Sequence, residues 1–300
     1  MWKSLEVTRY VEGSGSYLWK NLGVTRYVEE PGSYLVCGQG MWSGGKALHK
    51  GLVEVCVYTV EDCQIAHSAG AKRVELCADV SAGGTTPSYG TIEYVTSHIP
   101  IDVAVMIRPR GGDFVYSVEE QLVMQRDILA AGRAGAKAVV FGALTQDGRV
   151  DQDVMRPLLD TAADNQLDTV FHRAFDVCRD PMEALDVLLE LGVTRLLTSG
   201  QAKRSAEGLP MLKAILDYVG DSLEIMPGGG VASDHVDALL RLGVWQVHTG
   251  RSTTKPSPMV WHNDDVRMGA ETYDDRRLRI ADFAEIRAIV EKVEAASRQR

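Results

Sequence analysis

The chain reads as an α/β protein of the (β/α)8 barrel class carrying an N-terminal extension. Three observations predict it. From Leu52 onward, short β-branched apolar runs alternate with amphipathic segments until eight of each have passed; that number, over roughly 250 residues, matches a (β/α)8 barrel. A Gly-Ala or Gly-Val step (Gly70-Ala71, Gly135-Ala136, Gly192-Val193, Gly243-Val244) recurs just ahead of a strand, where a helix end hands over to extended chain. The polar residues gather at the carboxyl ends of the strands, the rim at which barrels keep their chemistry. An open doubly wound sheet would instead show a Gly-x-Gly-x-x-Gly turn after its first strand. None follows Val57, so no nucleotide cofactor is predicted.

The elements follow in order. Leu52–Val57 is a strand, Val60–Ala69 a helix, Arg73–Cys77 a strand, Tyr89–His98 a helix and Asp102–Ile107 a strand. A helix over Ser117–Ala131 precedes strand Ala138–Phe141 and helix Asp151–Ala163. The second half gives strand Asp168–Phe171, helix Pro181–Leu191, strand Arg195–Thr198 and helix Gly208–Tyr218. Strand Glu224–Met226, helix Ser233–Leu242, strand Trp245–His248 and a terminal helix from Ala281 complete the count. Ser117, Asp151, Asp180-Pro181 and Ser233 are the residue types that cap helix starts. Between Met259 and Arg279 the chain is polar and irregular, an excursion after the eighth strand.

Residues 1–50 stand apart as an extension, with the barrel over 51–300. Val7-Thr-Arg-Tyr-Val-Glu12 recurs as Val24-Thr-Arg-Tyr-Val-Glu29, and Gly15-Ser-Tyr-Leu18 as Gly32-Ser-Tyr-Leu35. Two copies are too few for a solenoid. The segment reads as a pair of small β-ribbons or as a poorly ordered leader, followed by a Gly-rich linker.

Composition narrows the function. A formal net charge of −9 argues against a nucleic-acid surface or an acidic membrane as partner. No apolar run approaches the roughly 18 residues that span a bilayer, and no secretory signal pattern opens the chain. Five Cys (Cys37, Cys56, Cys63, Cys77, Cys178) at irregular spacing do not form a disulfide framework, and a reducing cytoplasm fits best.

The strand ends carry the chemistry. Val53-Glu54-Val55-Cys56 and Val74-Glu75-Leu76-Cys77 each place a carboxylate and a thiol on one strand face, because residues two apart point the same way. Interior faces of parallel sheets are normally Val, Ile and Leu, so two Glu and two Cys there indicate a metal site or a reaction site. Burial of Cys as a small hydrophobe is the alternative. Cys63 and Cys178 read as structural. The third strand ends in Arg108-Pro-Arg110-Gly-Gly-Asp113, the fifth in His172-Arg173-Ala-Phe-Asp176 and the sixth in Thr198-Ser199-Gly200. The seventh ends in Pro227-Gly228-Gly229-Gly230 and the eighth in His248-Thr-Gly-Arg251. Arg108, Arg110, Asp113, Arg173, Ser199 and His248 suit an oxyanionic small molecule. Gly228, Gly229 and Gly230 are placed where barrel enzymes cradle phosphate with backbone amides. A salt-bridged turn at Arg108–Asp113 and a tight turn at the triple Gly are the bland readings of the same residues.

Several motifs in order carry a close resemblance. Arg73-Val-Glu-Leu-Cys77 with Gly83-Gly-Thr-Thr-Pro-Ser88, Ile107-Arg-Pro-Arg-Gly-Gly-Asp-Phe114 and Phe171-His-Arg-Ala-Phe-Asp176 resemble the CutC copper homeostasis family, as do Leu197-Thr-Ser-Gly200 and Met226-Pro-Gly-Gly-Gly230. The resemblance runs from Leu52 to the C-terminus and leaves the first 50 residues without a counterpart. It implies a cytoplasmic (β/α)8 barrel, a homo-oligomer such as a dimer or tetramer, and Cu(I) bound by two Cys that match Cys56 and Cys77. Soft thiolates do select Cu(I), and neighbouring strands about 4.8 Å apart suit two sulfurs flanking one linear ion.

Two functions are therefore expected to compete. One is a copper homeostasis protein with Cys56 and Cys77 as ligands. The other is a barrel enzyme of lyase, isomerase or hydrolase type acting on a small anionic, phosphorylated or carboxylated, metabolite. In the enzyme, Glu54, Glu75, His172 or Asp176 is the acid or base.

Overall fold

The computed structural model describes residues 51–263, 265–266 and 274–298; the duplicated leader and its linker lie outside the described residues. Eight strands build one parallel sheet: β1 (Leu52–Val57), β2 (Arg73–Leu76), β3 (Asp102–Met106), β4 (Ala138–Phe141), β5 (Asp168–Phe171), β6 (Arg195–Thr198), β7 (Glu224–Pro227) and β8 (Gln246–Thr249). The order is β7-β6-β5-β4-β3-β2-β1-β8, so β8 returns to pair with β1 in parallel. β7 and β8 lie side by side, although no ladder joins them among the described residues. The barrel is thus nearly closed, as expected.

Parallel neighbours need long crossovers, and helices supply them: α1 (Val60–Ser68), α2 (Tyr89–His98), α3 (Val118–Arg133), α4 (Gln152–Asp164), α5 (Pro181–Glu190), α6 (Leu209–Val219) and α7 (Val236–Leu240), with α8 (Phe283–Arg298) closing the chain. Ser117, Asp151 and Asp180 cap their helices as expected, and Thr59 adds a reciprocal capping box with Asp62. Ser233 does not cap α7. Its backbone N–H and hydroxyl both donate to the Glu285 carboxylate on α8, and the helix begins three residues later.

The stretch after β8 is more ordered than its polar sequence indicates. β9 (Ser252–Pro256) and β10 (Arg277–Ala281) form an antiparallel hairpin. The Ala281 N–H donates to Asp62 Oδ1 at 2.7 Å, which ties the hairpin to the start of α1. Isolated two-stranded hairpins are marginal in water, so such anchoring explains why this one persists.

Alternation along each strand sorts the side chains into two layers. Val53, Val55 and Val57 on β1, with Val74 and Leu76 on β2, pack outward in the large cluster beneath the helices. The barrel interior holds a smaller apolar cluster of Ala104, Met106, Ala138, Val140, Val170, Leu197 and Met226, joined by Cys56 and Cys77. The interior is therefore divided. β3 to β7 supply mostly modest apolar side chains, with Arg195 and Glu224 as the polar exceptions at their starts, and β1, β2 and β8 supply Glu, Cys, Arg, Gln and His.

Candidate metal centre

Register builds the polar wall. Glu54 is the partner of Arg73 across β1–β2 and of His248 across β1–β8, and Cys56 is the partner of Glu75. Arg73, buried at the start of β2, forms an ion pair with Glu54 and donates to Gln246 Oε1 at 3.0 Å. Gln246 Nε2 reaches Glu224 Oε2 at 3.3 Å across the β7–β8 seam, and Glu224 pairs with Arg195 at 2.8 Å. This chain of partners satisfies charges that would be costly to bury alone.

Above it, Glu54 Oε1 lies 2.8 Å from His248 Nδ1, and His248 Nε2 lies 3.6 Å from Glu75 Oε2. The Cys56 and Cys77 sulfurs are 3.9 Å apart. Cys77 Sγ is also 3.7 Å from Glu75 Oε2, and the Tyr58 hydroxyl is 3.5 Å from Cys56 Sγ. Cys56, Glu75 and His248 each present a donor atom within 4.8 Å of the others. Glu75 Oε1 is buried without a hydrogen-bond partner. Gly84 has φ +96°, and a Cβ there would lie 3.3 Å from Cys77 Sγ, so only glycine leaves the thiol its space.

The electrostatics follow from this crowding. Burial works against the Glu54 carboxylate, but the Arg73 charge and His248 outweigh it and hold its pKa at about 2. The hydrogen bond from Cys77 pulls the Cys56 thiol well below its usual range against the cost of burial, with His248 assisting. Cys77 moves up in response to that same bond and to burial. Burial and the charge at Cys56 push Glu75 well above a normal carboxylic acid. Burial disfavours the imidazolium of His248, yet Glu75, Cys56 and Glu54 together raise it well above its ordinary value. The directions describe a Cys56 thiolate paired with a His248 imidazolium, so a metal cation held by the imidazole would take the place of its Nε2 proton.

The remaining residues singled out by sequence fall into separate groups. Arg108 is buried, and its guanidinium donates to the carbonyls of Ala82, Gly84 and Gly112 at 2.7, 2.9 and 2.8 Å, clamping the loops after β2 and β3. Arg110 pairs with Glu120 at 2.6 Å and Asp113 at 3.0 Å, the salt-bridged turn. Asp176 is a loop hub. It accepts from the backbone N–H of Ser199 and Gln201 and from the hydroxyls of Thr198 and Ser199, and it pairs with Arg173 at 2.7 Å. Arg173 also donates to Ser199 Oγ at 3.0 Å. Gly229, at φ +90°, sits where a Cβ would meet Ser199 and Arg173 at 3.1 and 3.2 Å. Gly228 packs on Leu197 and His248, and Gly230 on Arg204. His172 is buried beside Gly142 and edge-on to Phe114, with ring centroids 4.8 Å apart. Its Nδ1 accepts from the Ala174 N–H at 3.3 Å, and Nε2 has no partner. Burial, then the nearby Arg108 charge, lowers its pKa to about 3.

Sequence reasoning assigned His248 to an anion. The structure instead groups it with Cys56 and Glu75. It did not single out Arg73, Tyr58 or Arg279, whose guanidinium lies 4.8 Å over the Tyr58 ring. The in-phase position of Arg73, two residues before Glu75, was the available signal for the first; nothing local marks the last.

Comparison with known proteins places this geometry in context. A model of the CutC family matches residues 51–253. A human protein named copper homeostasis protein cutC homolog is 42% identical over 240 residues, 79% of this chain and 87% of its own. A Photobacterium profundum family protein CutC is 38% identical over 242 residues, 80% of this chain and 98% of its own. The crystal structure of a Streptococcus agalactiae protein described as a copper homeostasis protein CutC superposes with a TM-score of 0.64 at 38% identity, over 67% of this chain and 99% of that one.

Proposed function

This chain belongs to the CutC family, and we propose from that premise that it serves copper homeostasis by binding Cu(I) through the thiolates of Cys56 and Cys77. The observation that carries the reading is the sulfur pair, 3.9 Å apart at the carboxyl-terminal rim of the barrel. Thiolates are soft ligands of the kind that Cu(I) prefers. The donor set fits a cation on a second count, because the neighbouring Glu75 Oε1 is a buried acceptor with no partner. Cys56, Cys63, Cys77 and Cys178 are all free thiols, which suits a reducing cytoplasm. Assembly as a homo-oligomer belongs to the same reading; the exposed Val260 and Trp261, 95% and 75% accessible, are the apolar surface that supports it, and light scattering tests it.

The direct test is Cu(I) competition against a chromogenic chelator under reducing, anaerobic conditions. The double variant Cys56→Ser, Cys77→Ser is expected to lose Cu(I) affinity, and His172→Ala to keep it. Undiminished affinity in the double variant removes the ligand assignment.

A second reading rests on the other half of the rim. His172 presents a buried nitrogen without a partner, and Arg173 lies against the Gly229 backbone, an arrangement able to hold a small carboxylate or phosphate. Such a ligand raises the melting temperature by mass action. A metabolite panel should find that shift and Arg173→Ala should abolish it; a panel with no shift counts against an enzyme of this type.

A further inference from the structure

The sulfur separation says more than that two thiols are neighbours. Two thiolates flanking a linear ion lie about 4.6 Å apart if each metal–sulfur bond is about 2.3 Å, whereas two sulfurs on a tetrahedral ion lie about 3.8 Å apart. The observed separation is 3.9 Å. Cys56 and Cys77 are spaced for a bent arrangement, and a bent pair leaves the metal open to further donors on one side.

That side is furnished. Cys56 Sγ, a Glu75 oxygen and a His248 ring nitrogen converge within 4.8 Å. His248 turns Nε2 toward Glu75 Oε2, at 3.6 Å, while Nδ1 is held by Glu54 Oε1 at 2.8 Å. Glu54 is itself anchored through its other oxygen by Arg73. Metal-bound histidines nearly always engage a carboxylate or carbonyl through the second ring nitrogen, which fixes tautomer and orientation. Here the carboxylate behind the imidazole is already in place. A purely structural ion network of Arg73, Glu54 and His248 would not require two thiols and an unpaired carboxylate oxygen in front of it.

We propose that Cys56, Cys77, Glu75 and His248 are the four protein donors of a tetrahedral site that takes Zn(II) as well as Cu(I), with Glu54 as the residue that positions His248. The proposal rests on the reading of the two Cys as metal ligands. Binding requires both sulfurs as thiolates and His248 Nε2 without its proton, so whatever protons these groups carry leave as the ion binds. Glu75 completes the set: its Oε2 lies 3.7 Å from Cys77 Sγ and 3.6 Å from His248 Nε2, and its Oε1 has no partner.

The test uses the full chain, reduced and anaerobic, with Co(II) as the spectroscopic probe and Zn(II) as competitor. Co(II) is expected to give intense visible bands of a tetrahedral ion and a near-ultraviolet thiolate charge-transfer band, both erased by Zn(II). Cys56→Ser and Cys77→Ser should each weaken the charge-transfer band. His248→Gln should shift the visible bands and weaken Zn(II) binding. Glu54→Gln should weaken it by about 10- to 100-fold, the usual loss when the group behind a metal-bound histidine is altered. The wild-type spectrum needs no variant, so a folding defect in any of them leaves the test intact. Weak six-coordinate Co(II) bands, or unchanged Zn(II) affinity in a folded His248→Gln variant, overturns the tetrahedral site. Retention of Cu(I) by the double Cys variant would instead overturn the Cu(I) reading, so the two failures are distinct.

Discussion

Acid should destabilise this protein through His172, and the size of the effect follows from its surroundings. The side chain is 4% exposed, and burial with the Arg108 charge brings its pKa from 6.5 to about 3. In the unfolded chain the ring has its ordinary value and takes up a proton below pH 6.5; in the native state it stays neutral until about pH 3. The unfolded state therefore binds more protons throughout that window, and stability falls as pH falls through it. Above pH 6.5 nothing is lost. At about 1.4 kcal/mol per pKa unit, the loss is about 2 kcal/mol at pH 5 and approaches about 5 kcal/mol near pH 3, a large share of the 5–15 kcal/mol that typically holds a domain folded. His172→Asn removes the titrating ring yet keeps an acceptor for the Ala174 N–H. Urea unfolding at pH 7, 6 and 5 should show the wild type losing about 2 kcal/mol relative to the variant across the series. Parallel losses in the two proteins would refute the argument.

Other outcomes are accessible to the same methods. Arg73→Ala strands Glu54 in the interior without its cation and should cost about 3–5 kcal/mol; a cost under 1 kcal/mol by urea unfolding means the pair is not what balances Glu54. Gly84→Ala forces a side chain into φ +96° against Cys77 Sγ, so it should cost about 1–3 kcal/mol and weaken Cu(I) binding, and normal stability with normal affinity contradicts that crowding. Cys77 lies two residues beyond Glu75, the partner of Cys56, which puts the two Cys Cα atoms diagonally about 8 Å apart, beyond the reach of a disulfide. Mild thiol oxidation should consequently form no bond between Cys56 and Cys77, and rapid appearance of a Cys56–Cys77 disulfide by mass spectrometry rejects that reasoning.

What the sequence discloses and what it conceals divide along the range of the interactions. Period-two alternation is local, so Glu54 with Cys56 and Glu75 with Cys77 could be put on one face from the strand pattern alone, and the interior placement of all four agrees. The capping residues Ser117, Asp151 and Asp180 were legible for the same reason. The β9–β10 hairpin was not: Ser252–Pro256 has almost no apolar content, its partner strand begins at Arg277, and its anchors lie on α1. Polar identity was visible at the rim, but partnership was not. Asp176 and Arg110 look like site residues until their partners are known, and both prove to be engaged in holding loops. The grouping of His248 with Cys56 depends on β8 returning to β1, a pairing almost 200 positions apart in the chain that no local pattern specifies.

One carboxylate joins the fold to the site. Glu54 Oε2 faces the Arg73 guanidinium and Oε1 faces His248 Nδ1, so the group that neutralises the buried arginine is also the group that aims the imidazole. Arg73 reaches on through Gln246 to Glu224 and Arg195, across the seam where β7 and β8 lack a ladder. The closure of the barrel and the orientation of the proposed ligand thus share a single set of hydrogen bonds. Loosening the seam moves Arg73, freeing Glu54 to rotate, and His248 loses the partner that directs its Nε2 toward Glu75. Barrel closure and the proposed metal affinity at this centre are therefore coupled, and Glu54 is the residue through which a change in one reaches the other.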